Sequence, residues 1–260
     1  MNRYHSILFA AALLLTASCG QVEREQYSGT FFRIVTVQQS GDAVSMKMDC
    51  TKDVIQIKNF QKAEDMKAFG ANPGDRGVAS ISYMAIPSAN LTTNTLESFR
   101  KFTFSRLNWS ERPQSKLASY FYFTNFSMGD VAYPLIWSAG HHLNTTIGFY
   151  PDPDIPDKDN TIELYPVGLR KDTLSMLLVG NFPGTSHQFD LREVFLDYDL
   201  SEIAAVDDIR ANELYQSMMA LGKDSIYVEI ATCDSLQLKD GTQLRKVKGG
   251  KLVTRFAFDF

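Results

Sequence analysis

A hydrophobic alternation with a period of two runs through most of this chain, and no other feature constrains its fold as much. In DAVSMKMD (42–49), Val44, Met46 and Met48 fall on one side and Ser45, Lys47 and Asp49 on the other. A helix scatters that pattern around its surface, whereas a strand with one face buried matches it. DVIQIKNF (53–60) alternates the same way, and TFFRIVTVQQ (30–39) is joined to the first stretch by Ser40-Gly41, a short turn signal. RGVASISYMAI (76–86) follows the turn NPGD and sets Val78, Ser80 and Ser82 opposite Ala79, Ile81 and Tyr83. SFRKFTFSRLNW (98–109) places Phe102 and Phe104 on one face, and KAEDMKAF (62–69) has room for one or two helical turns. About five short strands with a brief helix suit a small OB-like barrel, although turn spacing alone fits a small sandwich as well.

The second half repeats the signal. VAYPLIW (131–137), LNTTIGFY (143–150), NTIELYPVGL (160–169), DTLSMLLVGNF (172–182), HQFDLREVFLDYD (187–199), DSIYVEIATC (224–233), TQLRKVK (242–248) and GKLVTRFAFDF (250–260) all read as strands. Strand-turn-strand spacing of this kind predicts a β-sandwich. One stretch departs from it. SEIAAVDDIRANELYQSMMALG (201–222) spaces Ile209, Leu214, Met218 and Leu221 at near-helical intervals, with Ser201 and Glu202 as a cap and Gly222 where a helix stops. The polar, proline-containing SERPQSKLAS (110–119) is where the halves divide. The expected architecture is all-β: a small OB-like barrel over 28–112, followed by a β-sandwich domain over 113–260 with a helical insertion.

The first residues are of another kind. Asn2, Arg3 and His5 precede an apolar run from Ile7 to Leu15, and the small residues Thr16, Ala17 and Ser18 lead directly into Cys19. A short basic region, an apolar stretch of this length and a small-residue site describe a secretory leader. The run is too short to span a bilayer, which takes about 20 apolar residues. The site resembles a bacterial lipobox, with Cys19 the lipidated first residue of the mature chain; Thr16 stands where that pattern prefers Leu. An ordinary secretory peptide cut near Ser18, with Cys19 incidental, is the alternative. Residues 1–19 are thus a lipoprotein signal peptide, and 20–27 a polar tether.

Removing residues 1–19 takes away one charged side chain, Arg3, and moves the net charge from −4 to −5. No basic stripe is present, which argues against nucleic acid as a partner. The chain is 44% hydrophobic and carries 18 Phe and 11 Tyr, enough to bury real cores. Cys50 and Cys233 remain in the mature chain. An exported protein can oxidise them, but two free, buried thiols is the plainer reading. No CxxC or Cys/His cluster supports a structural zinc site.

The whole pattern resembles the NigD-like lipoproteins of gut and oral Bacteroidota. The residues that carry the likeness are PGDRGVASISY (73–83), PLIWSAGHHLNTTIGFY (134–150) with Trp137 and then Leu143-Asn144, DTLSMLL (172–178) and the closing TRFAFDF (254–260). The chain departs from that family at 201–222 and at PDPDIPDKDN (151–160). The resemblance implies an OB-like first domain and a C-terminal β-sandwich, and it supplies no enzymatic mechanism.

Few residues point to chemistry. Asp152, Asp154, Asp157 and Asp159 have the spacing of oxygen ligands for Ca²⁺ but lack the glycine and final Glu of an EF-hand loop, and a proline-stiffened solvated hairpin explains them as well. His141 and His142 are adjacent, and neighbours on a strand face opposite ways, so the two imidazoles are not expected to share a metal. Ser186 sits beside His187 without a GxSxG elbow. SYFYFTNF (119–126) is apolar on both faces, as a buried strand is; Trp109 and Trp137 read as core residues too. No metal is favoured, no cofactor is expected and no catalytic residue stands out. The expectation is a lipid-anchored cell-envelope protein, an outer-membrane lipoprotein either periplasmic or surface-exposed. It acts as a non-catalytic binding or structural module, with a glycan-binding accessory lipoprotein as the alternative and a hydrolase as the weaker one. Its partners are the membrane, through the anchor, and an envelope protein or glycan.

Overall fold

The computed structural model describes residues 26–41, 43–51, 53–58, 60, 62–110, 121–156, 159–182, 190–232 and 252–257. Cys19, Asp157, Ser186, His187, Cys233 and the expected strand at 242–248 lie outside the described residues.

The first half is one antiparallel sheet of five strands: β1 (Tyr27–Ser40), β2 (Ala43–Met48), β3 (Val54–Gln56), β4 (Arg76–Ile86) and β5 (Leu91–Lys101), in the order β3-β2-β1-β4-β5. Gly41 takes φ +60 in the turn between β1 and β2, where a side chain is strained and glycine is not. The short helix α1 (Ala63–Lys67) crosses from β3 to β4. The sheet curls until its two edge strands approach. Among the described residues they meet at one parallel bridge, Ile57 to Asn94, with the Lys58 N–H donating to the Asn94 carbonyl at 2.7 Å. One bridge is a seam and not a ladder, so the sheet is not a closed barrel. Its interior holds Val35, Val37, Val44, Met46, Ile55, Ala79 and Ile81, inward members of the alternation seen in the sequence, together with Met66 from α1 and Leu96 from β5.

The second half stacks two sheets. One carries β6 (Tyr122–Phe123), β9 (Ile136–Ala139), β10 (His142–Phe149) and β13 (Arg192–Asp199), all meeting β10 directly. β9 and β10 form a hairpin closed by Gly140-His141, with Gly140 at φ +60, as the first position of a two-residue hairpin turn favours. The other sheet runs β11 (Thr161–Arg170), β12 (Thr173–Asn181), β14 (Ser225–Thr232) and β15 (Leu252–Ala257). A small hairpin, β7 (Phe126–Met128) with β8 (Val131–Tyr133), stands apart. Between the two large sheets pack Leu143, Ile147, Phe149, Leu196 and Tyr198 from one side, and Leu164, Leu174, Met176, Leu178, Val228 and Ile230 from the other. Helices α2 (Glu202–Ala205) and α3 (Ile209–Met219) bridge β13 to β14, and so pass from one sheet to the other. They press Ile203, Leu214 and Met218 into the same core. The architecture is all-β with a helical insertion.

Several segments differ from expectation. Ser201 stands at the N-cap of α2 but makes no side-chain cap bond, whereas Asp208 caps α3, accepting from the N–H groups of Arg210 and Ala211. The strand expected at 98–109 lies at 91–101 instead. Its alternation is hidden because only Leu96 is fully buried there. Phe102 and Phe104 have left the sheet, one to pack on Phe195 and the other on His142. The expected strand 131–137 breaks into β8 and β9 at Pro134-Leu135, since proline cannot donate to a ladder. SYFYFTNF gives only the two-residue β6 and the first residue of β7, with Phe121 buried in the sandwich core. Cys50 is free and exposed, which corrects the reading of it as a buried thiol; it sits at φ +59 in the turn after β2.

Candidate functional site

The two halves meet on polar ground. Every residue of β10 is buried, although the strand reads HLNTTIGF. The alternation explains how: Leu143, Ile147 and Phe149 enter the sandwich core, so His142 and Asn144 must face the other way, toward the first half. Leu196 and Tyr198 of β13 likewise enter the core, which turns Asp197 outward. From the first half, Arg76 at the start of β4 reaches the same place with its side chain fully buried.

Arg76 is the centre of a saturated network. Its Nε donates to Asp197 Oδ2 at 3.0 Å. One terminal nitrogen donates to Thr36 Oγ1 and Asp49 Oδ1, both at 3.0 Å. The other donates to Asp49 Oδ2 at 2.8 Å and Asn144 Oδ1 at 3.0 Å. A guanidinium has five N–H donors, and here all are used. The Trp137 indole N–H donates to Asp49 Oδ2 at 3.0 Å, and Asp197 Oδ1 lies 2.9 Å from Nδ1 of His142. Burying an ion costs several kcal/mol unless partners replace the water, and this arrangement supplies them from both halves. The two carboxylates raise the affinity of Arg76 for its proton against the opposing effect of burial. Around the network a small apolar cluster of Ile34, Tyr133 and Trp137, with Phe102, Phe126 and Phe195 packed on it, excludes solvent from the junction.

Beside this clamp opens a cleft of about 810 Å³ walled by both halves. Thr36, Lys47, Asp49, Cys50 and Thr51 line one side, and Ser138, Gly140, His141 and His142 the other. Desolvation, with help from the Asp49 carboxylate, raises the Cys50 thiol from 9.0 to about 11, so little of it is the nucleophilic thiolate at neutral pH. His141 is held below its ordinary range by partial burial and by its neighbour His142.

The two histidines are not on opposite faces. His141 is a turn residue and not part of β10, so strand alternation does not govern it. Their rings lie 4.4 Å apart, and ligand atoms of His141, His142 and Asp199 fall within 4.8 Å of one another. The sequence missed this because one residue of a hairpin turn was counted as strand. Among the described residues the aspartate loop forms no comparable group. The Asp152 side chain accepts from the Asp154 N–H at 2.9 Å, an ordinary turn bond, and Asp159 is exposed. Trp137 is buried as expected, whereas Trp109 is only half-buried, against the sandwich core. No helix among the described residues is long and apolar enough to cross a membrane.

Fold and site together define an all-β protein whose halves are joined through a buried ionic clamp. No family model and no curated protein matches the chain. Solved structures do. A NigD-like immunity protein from Bacteroides caccae is 14% identical over 85% of this chain and 96% of its own, with a TM-score of 0.42. A candidate lipoprotein from Bacteroides fragilis is 10% identical over 91% of this chain and 99% of its own, at 0.45. A protein of unknown function from Bacteroides vulgatus is 11% identical over 89% and 92%, at 0.47. The first carries the family name that the sequence resembles.

Proposed function

We propose that this chain is a lipid-anchored protein of the cell envelope, tethered by Cys19 to the outer membrane, that binds a partner without transforming it. The body on the tether consists of an OB-like unit (28–112) and a β-sandwich unit (113–260). The leader supports the anchor, and two cores support a two-part body, one drawn from residues 35–96 and the other from residues 107–230, so that Leu107 and Trp109 at the end of the first unit pack with the second. The observation that carries the binding role is the cleft walled by both units beside a clamp with every Arg76 donor engaged. A cleft held open by a buried network loses little freedom when it is filled, and such preorganisation serves affinity.

A glycan is the second reading. It is favoured by a smaller groove of about 220 Å³ where Trp109 lies beside Arg210, Glu213 and Ser217, an aromatic face flanked by polar groups. Mass spectrometry of the mature amino terminus should find acylated Cys19, and Cys19→Ser should release the protein from membranes. Titration with purified envelope polysaccharides and envelope proteins should find a ligand whose affinity falls with Lys47→Glu in the cleft, or with Trp109→Ala if a glycan occupies the smaller groove. Turnover of any such ligand by the wild-type protein would overturn the non-catalytic reading, and an unacylated mature chain would remove the anchor.

A further inference from the structure

The turn that sequence alternation misread brings the half-exposed His141 side chain beside Asp199 and beside His142, whose Nδ1 belongs to the clamp. His141 Nε2 and Asp199 Oδ1 are 3.6 Å apart. Two ligands of a tetrahedral zinc stand about 3.3 Å apart, given metal–ligand bonds of about 2.0–2.1 Å. His142 completes a triangle whose ligand atoms all lie within 4.8 Å, so closing it on an ion requires only a small inward movement of an exposed turn.

The surroundings orient each donor. Nδ1 of His142 is engaged by Asp197, itself fixed by Arg76, and this leaves Nε2 as the nitrogen free to ligate. A carboxylate behind a histidine is the usual outer support of a metal-bound imidazole, setting its tautomer and raising its basicity. The Phe104 ring packs against His142 at 4.9 Å and limits its rotation. Asp199 Oδ1, the oxygen that faces His141, accepts from the N–H and hydroxyl of Ser201 at 2.9 and 2.6 Å, which fixes the carboxylate, and a metal binds there alongside those bonds. His141 and His142 both line the large cleft, so any remaining coordination position opens there.

We propose that His141, His142 and Asp199 form a binding site for a divalent transition metal of the zinc class, two imidazoles and one carboxylate with a position open to the cleft. Two nitrogens and one oxygen suit Zn²⁺ or Co²⁺ and disfavour Ca²⁺ and Mg²⁺, which take oxygen ligands. This goes beyond the binding role proposed above, and holds whether or not that role is correct.

The test uses the full mature chain, free of any histidine tag. Zn²⁺ is titrated against a chromophoric chelator, and Co²⁺ is added separately to read the visible absorption of a four- or five-coordinate site. One equivalent of Zn²⁺ should bind, with micromolar affinity or tighter. His141→Ala and Asp199→Asn should each weaken it at least tenfold and abolish the Co²⁺ bands, while Cys50→Ser leaves both unchanged. His141 is half-exposed on a turn, so its variant is the one whose circular dichroism should match the wild type. Absence of binding in the wild type, unchanged affinity in folded His141→Ala, or loss of binding in Cys50→Ser would each overturn the site.

Discussion

At the scale of single residues, chemistry here is decided by neighbours that are distant in sequence. Asp49 and Asp197 are unremarkable outward members of two alternating strands until Arg76 joins them across separations of 27 and 121 residues. Nothing local marks that meeting. A weak signal was present: polar His142 and Asn144 interrupt a strand whose other residues are apolar or small, and buried polar groups need partners. Cys50 offers a direct check at this scale. Desolvation and Asp49 raise its thiol to about 11, so the rate of alkylation by iodoacetamide should rise with an inflection near that value in a Cys233→Ser background. An inflection at the ordinary 9.0 would contradict the desolvation of the thiol in the cleft wall.

At the scale of elements, the sequence is legible where one face is buried and the other solvated. β1, β2 and β4 fall close to where the alternation put them. β5 does not, because its exposed Thr92, its half-buried Thr93 and Thr95 and its single fully buried residue leave no contrast to read. The helical insertion is legible through Leu214 and Met218, which do enter the core. What the alternation cannot tell is how closely strands approach. Gly77 begins β4 beside Arg76, and a Cβ there would lie 2.3 Å from the Arg100 carbonyl oxygen of the paired strand. Backbone cannot yield as a flexible side chain can. Gly77→Ala should therefore destabilise the chain by about 2 kcal/mol or more, read as a fall in the urea midpoint, whereas Gly74→Ala, in open space but at φ +87, should cost less. Equal effects would contradict the close approach.

At the scale of the molecule, the two-part division is an expectation drawn from the sequence, and the contacts that join the two halves are not legible there. Two runs of strands separated by a polar stretch announce two cores. Only the structure brings Ser105 and Leu107 into bridges with Tyr198 and Leu164, so the chain packs on the second half before the polar stretch is reached. Burial on this scale also sets the response to pH. Burial raises Tyr133 and Tyr198 above the ordinary 10.0, and Cys50 is raised from 9.0. Groups raised by folding keep protons that the unfolded chain releases, so their contribution is whole below pH 9 and shrinks as pH climbs through 9 and 10. Stability to urea should be level up to about pH 9 and fall above it, with Tyr133→Phe reducing the fall. A rise in stability across that range would reverse the sign and contradict the desolvation of these groups.

The claim on which the rest depends is that Arg76 locks the two halves into one cooperative body. The most direct measurement is urea unfolding in a Trp109→Phe background, followed both by tryptophan fluorescence, which then reports on Trp137 at the clamp, and by circular dichroism, which reports on all strands. The wild type should unfold in one transition with coincident midpoints. Arg76→Met removes the cation and leaves the Asp49 and Asp197 carboxylates buried without it, so it should cost about 3–5 kcal/mol and separate the two probes. An Arg76→Met protein that unfolds at the wild-type midpoint, or a wild type whose probes already part company, would contradict it.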